Sequence, residues 1–225
     1  MLGFVACDDA VSVPMPAVLV AHMWGGREAF VCDKARALAD LGYLGFALDL
    51  YGNAKLGSGP EENARLMQPF LEDRALLQRR MQLALDTVRQ LEGVDKSRIA
   101  AIGFCFGGLC VLDLARTGAD LKGVVSFHGL LKPPGNTQGR RIQAKILVLH
   151  GHEDPMVPVE DVIALERELT EAGADWQVHV YGHTMHAFTN PKANDPKLGT
   201  VYHPVAERRS WQAMRNFLEE IFNSA

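Results

Sequence analysis

Cys105 lies at the centre of Gly103-Phe104-Cys105-Phe106-Gly107-Gly108, with an apolar run from Ile99 to Phe104 before it and a helix-like run from Leu109 to Arg116 after it. Gly-x-nucleophile-x-Gly is the spacing of a nucleophile elbow, where strand turns into helix so sharply that the flanking positions tolerate only hydrogen as a side chain. The central residue is held in a strained conformation, and its side chain points out of the sheet. At the start of a helix, free N–H groups and the helix dipole favour a thiolate and a neighbouring oxyanion. The chemistry this spacing implies is covalent, with Cys105 as nucleophile.

A thiol of ordinary pKa, ~8.5, is mostly protonated at neutral pH, so it needs a base and the base needs an acid to hold it. Asp154 follows the apolar run Lys145 to Leu149, and Pro155 after it fixes a turn. Glu153 is the rival acid, with a longer side chain. Of the eight histidines, His186 and His183 both follow the last apolar run, Trp176 to Val180. His186 is the expected base and His183 the second candidate. His179 falls inside a strand, His150 and His152 flank a turn, and His22 is expected to shape the backbone of an early glycine-rich loop. That loop, His22-Met23-Trp24-Gly25-Gly26, supplies the second half of an oxyanion hole, the N–H of Trp24 beside that of Phe106. Tyr51, Phe188 and Met23 are expected at the pocket wall, and Arg74, Arg79 or Arg80 offers a substrate anchor.

These residues have to be carried by a scaffold that gathers distant loops. Short apolar runs (Ala17 to Ala21, Leu44 to Leu48, Ile99 to Phe104, Gly123 to Phe127, Lys145 to Leu149, Trp176 to Val180) alternate with helix-period segments. The helical segments are Glu28 to Leu41, Asp73 to Leu91, Phe106 to Arg116, Val159 to Ala172 and Ala206 to Phe222. Such alternation predicts an α/β fold with a mostly parallel central sheet and helices on both faces. Functional groups then sit on loops beyond the carboxyl ends of the strands, where Cys105, Asp154, His186 and the His22–Gly26 loop all fall. Leu131 to Gln143, rich in proline and glycine, reads as an irregular surface loop.

The chain has 225 residues, 48% of them hydrophobic, which suits one α/β domain spanning 1–225. Its net charge of −4 comes from 27 acidic and 23 basic residues interspersed along the sequence, with no basic block to follow nucleic acid. The N-terminus has no basic region before Asp8 and Asp9, so no signal peptide is expected, and no run has the ~18 apolar residues of a membrane span. Four cysteines without metal or redox spacing read as reduced thiols of a cytoplasmic protein, monomer or homodimer.

The chain order Cys105, Asp154, His186 is that of α/β-hydrolases, and from about Pro16 to Phe222 the chain resembles the dienelactone hydrolase family. The resemblance rests on Ala-Leu-Asp-Leu-Tyr-Gly (47–52), Ile-Gly-Phe-Cys-Phe-Gly-Gly (102–108), Leu-His-Gly-His-Glu-Asp-Pro-Met-Val-Pro (149–158) and Gly-His-Thr-Met-His-Ala-Phe (182–188). It implies a Cys105-His186-Asp154 triad that cleaves a small ester or lactone through a thioester, with no metal and no organic cofactor. Thiolate leaves easily, so activated acyl groups such as enol lactones, phenyl esters or thioesters are the expected substrates. The chain departs from the family in three places. Met23 stands where the family's oxyanion loop carries a glutamate, with Glu28 the nearest substitute. Asn190 stands where an arginine binds a substrate carboxylate, and the N-terminus is short. A redox sensor and an acyltransferase that excludes water are the competing readings.

Overall fold

The computed structural model describes residues 1–8, 10 and 13–223. Asp9 of the acidic N-terminal stretch and the last two residues of the expected 1–225 unit lie outside them. Strands β1 (Phe4–Ala6), β2 (Met15–Ala21), β3 (Leu44–Ala47), β4 (Val94–Phe104), β5 (Gly123–Phe127), β6 (Lys145–Gly151) and β7 (Trp176–Tyr181) form one sheet in the order β1-β3-β2-β4-β5-β6-β7. Every neighbouring pair is parallel except β1, which runs antiparallel along β3. This is the mostly parallel sheet that the strand-helix alternation predicts, in the α/β-hydrolase fold that the family resemblance implies.

The central strands read as unbroken apolar runs because both of their faces are covered. In β2, Ala17, Leu19 and Ala21 enter one core, while Val18 and Val20 enter the other. The first core is closed by α3 (Arg74–Arg89), α4 (Phe106–Arg116) and α5 (Val159–Glu171), the second by α1 (Ala29–Ala39) and α6 (Pro204–Asn223). From β2 the chain turns to β3 on one side and then crosses to β4 on the other. A crevice opens at such a switch point, beyond the carboxyl ends of the strands. Ala21 and Gly103 are register partners there, so His22-Met23-Trp24 and Phe104-Cys105 leave the sheet side by side.

Two features escaped the sequence reading. Helix α2 (Pro60–Glu72) begins with Pro60 and two glutamates in its first turn, but it buries only Phe70 fully and carries Pro69 in its last turn, where a proline reads as a helix break. The pair β8 (Asn194–Asp195) and β9 (Thr200–Val201) is too short to show a period of two. Both features reach the functional crevice.

Helices α3, α4 and α5 are joined by a buried ion network. Arg116, 1% exposed, donates to Glu168 through Nε (2.8 Å) and Nη2 (2.7 Å), and to Asp113 and the Leu131 carbonyl. Arg74 grips Asp113 with two 2.7 Å bonds and also reaches the Lys132 carbonyl. Asp113 has no solvent to turn to, so its charge is balanced by these two guanidiniums alone. Arg74 is therefore not placed as a substrate anchor; Nε and Nη2 of its fork are spent on Asp113 and the Lys132 carbonyl, and it does not line the pocket.

Candidate active site

Cys105 occupies the cap position between β4 and α4 with φ 54° and ψ −116°. A positive φ is costly for a residue with a Cβ, and it persists here because the turn is over-determined. A Cβ at Gly103 would overlap the Gly107 carbonyl, and one at Gly107 would overlap the Ala21 carbonyl. The Cys105 N–H is shared between the Phe127 carbonyl (3.0 Å) and Nδ1 of His128 (3.1 Å). As the first residue of α4, Phe106 has an N–H with no carbonyl one turn back to receive it.

Asp154 and His186 come from the loops after β6 and β7, and both are buried. Asp154 Oδ1 accepts from the Met156 N–H (2.9 Å), which turns Oδ2 toward His186 Nδ1 at 2.7 Å. A carboxylate only accepts, so Nδ1 carries the proton and Nε2 is the free end. The His186 backbone is held by Gly199 and Val201 at 2.9 and 3.0 Å, and Ala187 turns the chain at φ 58°. Nε2 is buried with no hydrogen bond of good geometry, yet the Cys105 thiol lies close enough to act on its charge. Burial opposes an imidazolium, but the sulfur of Cys105 and the carboxylate of Asp154 outweigh it and hold His186 up at about 10. The rival residues pair with each other instead. His183 meets Glu153 at 3.2 Å, and its side chain is 95% exposed.

The loop after β2 is shaped by His22. Its Nε2 accepts from the Leu50 N–H (3.2 Å), so Nδ1 carries the proton and donates to the Met23 carbonyl (2.6 Å). Burial pushes this imidazole down to about 4, which keeps it neutral. The Tyr51 hydroxyl donates to the Trp24 carbonyl (2.8 Å), and its ring packs edge-on against His22 and is stacked on Phe106. Tyr51 thus braces the loop from behind instead of lining the pocket. Phe188 also differs from expectation. It is 0% exposed and wedged edge-on against His128 and Tyr181, because the turn at Ala187 swings it into the core.

A pocket of about 260 Å³ lies over Cys105 and His186. Met23 and Trp24 line it as expected, together with Leu130, Met156 and Asn190. Met67 of α2 and Leu198 of the β8–β9 turn complete the wall, the two segments the sequence reading passed over. Glu28 does not reach in; it is exposed, with its carboxylate over Gly25. The wall is mostly apolar, and its polar groups besides Cys105 and His186 are Asn190 and Thr200. A thiol on a strained backbone turn and a raised imidazole at the floor of one apolar pocket can support acyl transfer to sulfur. Among the described residues no group of three histidine, cysteine or acidic side chains is arranged to hold a metal ion.

Comparison with known proteins bears on the same site. The dienelactone hydrolase family model matches residues 1–222. A protein of Aquifex aeolicus, named provisionally as a carboxymethylenebutenolidase, is 29% identical over 214 residues, which cover 91% of this chain and 87% of that one. An uncharacterized protein of Caenorhabditis elegans is 38% identical over 152 residues, or 65% of this chain and 94% of that one. The crystal structure of P91, described as a dienelactone hydrolase-like promiscuous phosphotriesterase from metagenomic libraries, is 40% identical with a TM-score of 0.92 and covers 98% of this chain and 92% of its own. With this match over nearly its whole length and the seven-stranded sheet that underlies it, the chain belongs to the dienelactone hydrolase family of the α/β-hydrolases, hydrolases of ester and lactone bonds.

Proposed function

We propose that the protein hydrolyses compact, uncharged esters or lactones through a thioester on Cys105, with His186 as the base and Asp154 as its orienting acid. The observation that carries this reading is His186, buried between Asp154 at 2.7 Å and the thiol of Cys105 at the floor of one pocket. The thiol passes its proton to Nε2 of His186 and Sγ attacks the carbonyl carbon, so that the C=O electron pair moves onto oxygen beside the N–H groups of Phe106 and Trp24. Collapse breaks the carbon–oxygen bond, and the imidazolium of His186 protonates the departing alkoxide. Water then attacks the thioester as His186 takes its proton, releasing the acid and returning the thiol. Thiolate leaves more readily than an ordinary alkoxide, so substrates with activated leaving groups are favoured. The apolar wall and the lack of a lysine or arginine among its lining residues favour a neutral acyl group. The four free cysteines fit a reducing cytoplasm.

The test is p-nitrophenyl acetate turnover by the wild type, Cys105→Ala and His186→Ala, following burst and steady state. Loss of burst and turnover in Cys105→Ala, and of turnover in His186→Ala, is expected. Unchanged activity in Cys105→Ala would sink the reading, and acetylation without turnover would favour a sensor or transferase. The likeness to P91 adds a second substrate class, since the same thiol can attack a phosphotriester; paraoxon in the same assay decides it.

A further inference from the structure

His128, the first residue after β5, is buried, unused in the chemistry above, and backbone-strained at φ 39°. Its Nδ1 accepts the N–H of Cys105 at 3.1 Å, and its Nε2 lies 2.8 Å from Oγ1 of Thr189, a buried residue three positions past His186. Because Nδ1 receives a proton donor, the ring proton must sit on Nε2, which donates to Thr189. The ring packs edge-on against His186, with centroids 5.2 Å apart, and edge-on against Phe188 at 5.0 Å. One imidazole therefore touches the backbone of the thiol and the loop of the base.

We propose that His128 is a positioning residue, a neutral imidazole that straps the backbone of Cys105 to Thr189 and so keeps the thiol and the His186 imidazole in register. The Cys105 N–H fixes the orientation of the strained peptide before the elbow, and that orientation aims both Sγ and the next N–H, that of Phe106. The Phe127 carbonyl holds the same N–H from the sheet side, but it has no link to the His186 loop. His128 is the group that joins the two. Burial, then the charge of the neighbouring His186, keeps its ring neutral and its acceptor available. A misplacement of ~1 Å between reacting groups can cost about a hundredfold in rate. The effect belongs in kcat, because His128 does not line the pocket.

The inference rests on Cys105 and His186 acting as proposed, so Cys105→Ala is measured in the same series as His128→Phe, His128→Asn and Thr189→Val. The readings are kcat and KM for p-nitrophenyl acetate and the thermal midpoint of each variant. His128→Phe should lower kcat by about 10- to 100-fold with KM within about threefold. His128→Asn should recover part of that loss, since Asn Oδ1 stands where Nδ1 stood while the donor to Thr189 is gone, and Thr189→Val, which breaks the same arm, should fall between His128→Phe and the wild type. If His128→Phe does not fold, His128→Gln replaces it, keeping a donor toward Thr189 without the acceptor for Cys105, and it must fall below His128→Asn. Equal kcat in the Phe (or Gln) and Asn variants with Thr189→Val at the wild-type value overturns the role of His128. Activity that survives Cys105→Ala overturns the parent reading instead.

Discussion

His186 carries most of the electrostatic tension in the site, because its ring is buried and yet held charged by two neighbours, the sulfur of Cys105 and the carboxylate of Asp154. Asp154 orients the ring as well as favouring its charge, since its Oδ2 accepts the Nδ1–H hydrogen bond and leaves Nε2 toward the thiol. Asp154→Asn keeps the shape and reverses that logic: an amide NH₂ toward Nδ1 places the ring proton on Nε2. Turnover of p-nitrophenyl acetate should fall by about 10³- to 10⁴-fold. The imidazole midpoint of His186, followed by NMR, should move down from about 10. A midpoint left in place would show that Asp154 does not govern this ring. The two rejected rivals make the same point from outside, for His183 and Glu153 form an exposed pair that solvent screens.

At the level of elements, the sheet supplies the reacting groups while the late-found segments supply the walls. Helix α2 is anchored by Phe70 and sends Met67 over the pocket; Leu198 arrives from the turn between β8 and β9. Helix α2 holds none of the three groups, so it can change selectivity without moving Cys105, Asp154 or His186, whereas the β8–β9 hairpin also holds the His186 backbone through Gly199 and Val201. Met67→Ala should enlarge the pocket and raise the preference for p-nitrophenyl butyrate over acetate by about tenfold, the scale of one or two methylenes in an apolar site. The comparison of kcat/KM for the two esters checks this, and an unchanged ratio would place Met67 outside the acyl subsite. The ion network of Arg74, Arg116, Asp113 and Glu168 includes no pocket residue and ties α3 and α5 to α4.

Across the whole molecule, the buried histidines tie stability to pH in two opposite senses. His22 has its pKa lowered from 6.5 to about 4, so between these values the unfolded chain binds more protons than the folded one. Stability therefore falls as pH drops from 6.5 to 4, by about 3 kcal/mol for the full shift. His128 acts in the same direction. His186 is raised, so its contribution is complete below 6.5 and is lost as pH climbs through about 10. The lowered carboxyl of Asp49 acts in a separate window, below its ordinary value of 3.8. Urea midpoints from pH 4 to 10 should peak near 6.5 and decline on both sides. His22→Asn should flatten the acid side; an acid limb as steep in the variant as in the wild type would refute the assignment to His22.

Chain order, the elbow motif and the strand-helix alternation were legible in the sequence, since each is local: glycine where a Cβ cannot fit, apolar runs where a strand is covered on both faces. Those features also determined which loops meet, because a parallel sheet delivers every carboxyl end to one edge. Tertiary structure decided which way the side chains on those loops turn. Tyr51 and Phe188 lie in the right loops but face inward, one held by Trp24 and His22, the other by His128 and Tyr181. Arg74 is drawn away by Asp113, 39 positions along the chain. The strap made by His128 and the wall made by Met67 were equally hidden, because a hydrogen bond across 61 positions leaves no period in the sequence and Pro69 inside α2 reads as a break in a helix. Loop membership follows from local pattern, whereas side-chain direction follows from contacts that exist only once the chain has closed on itself.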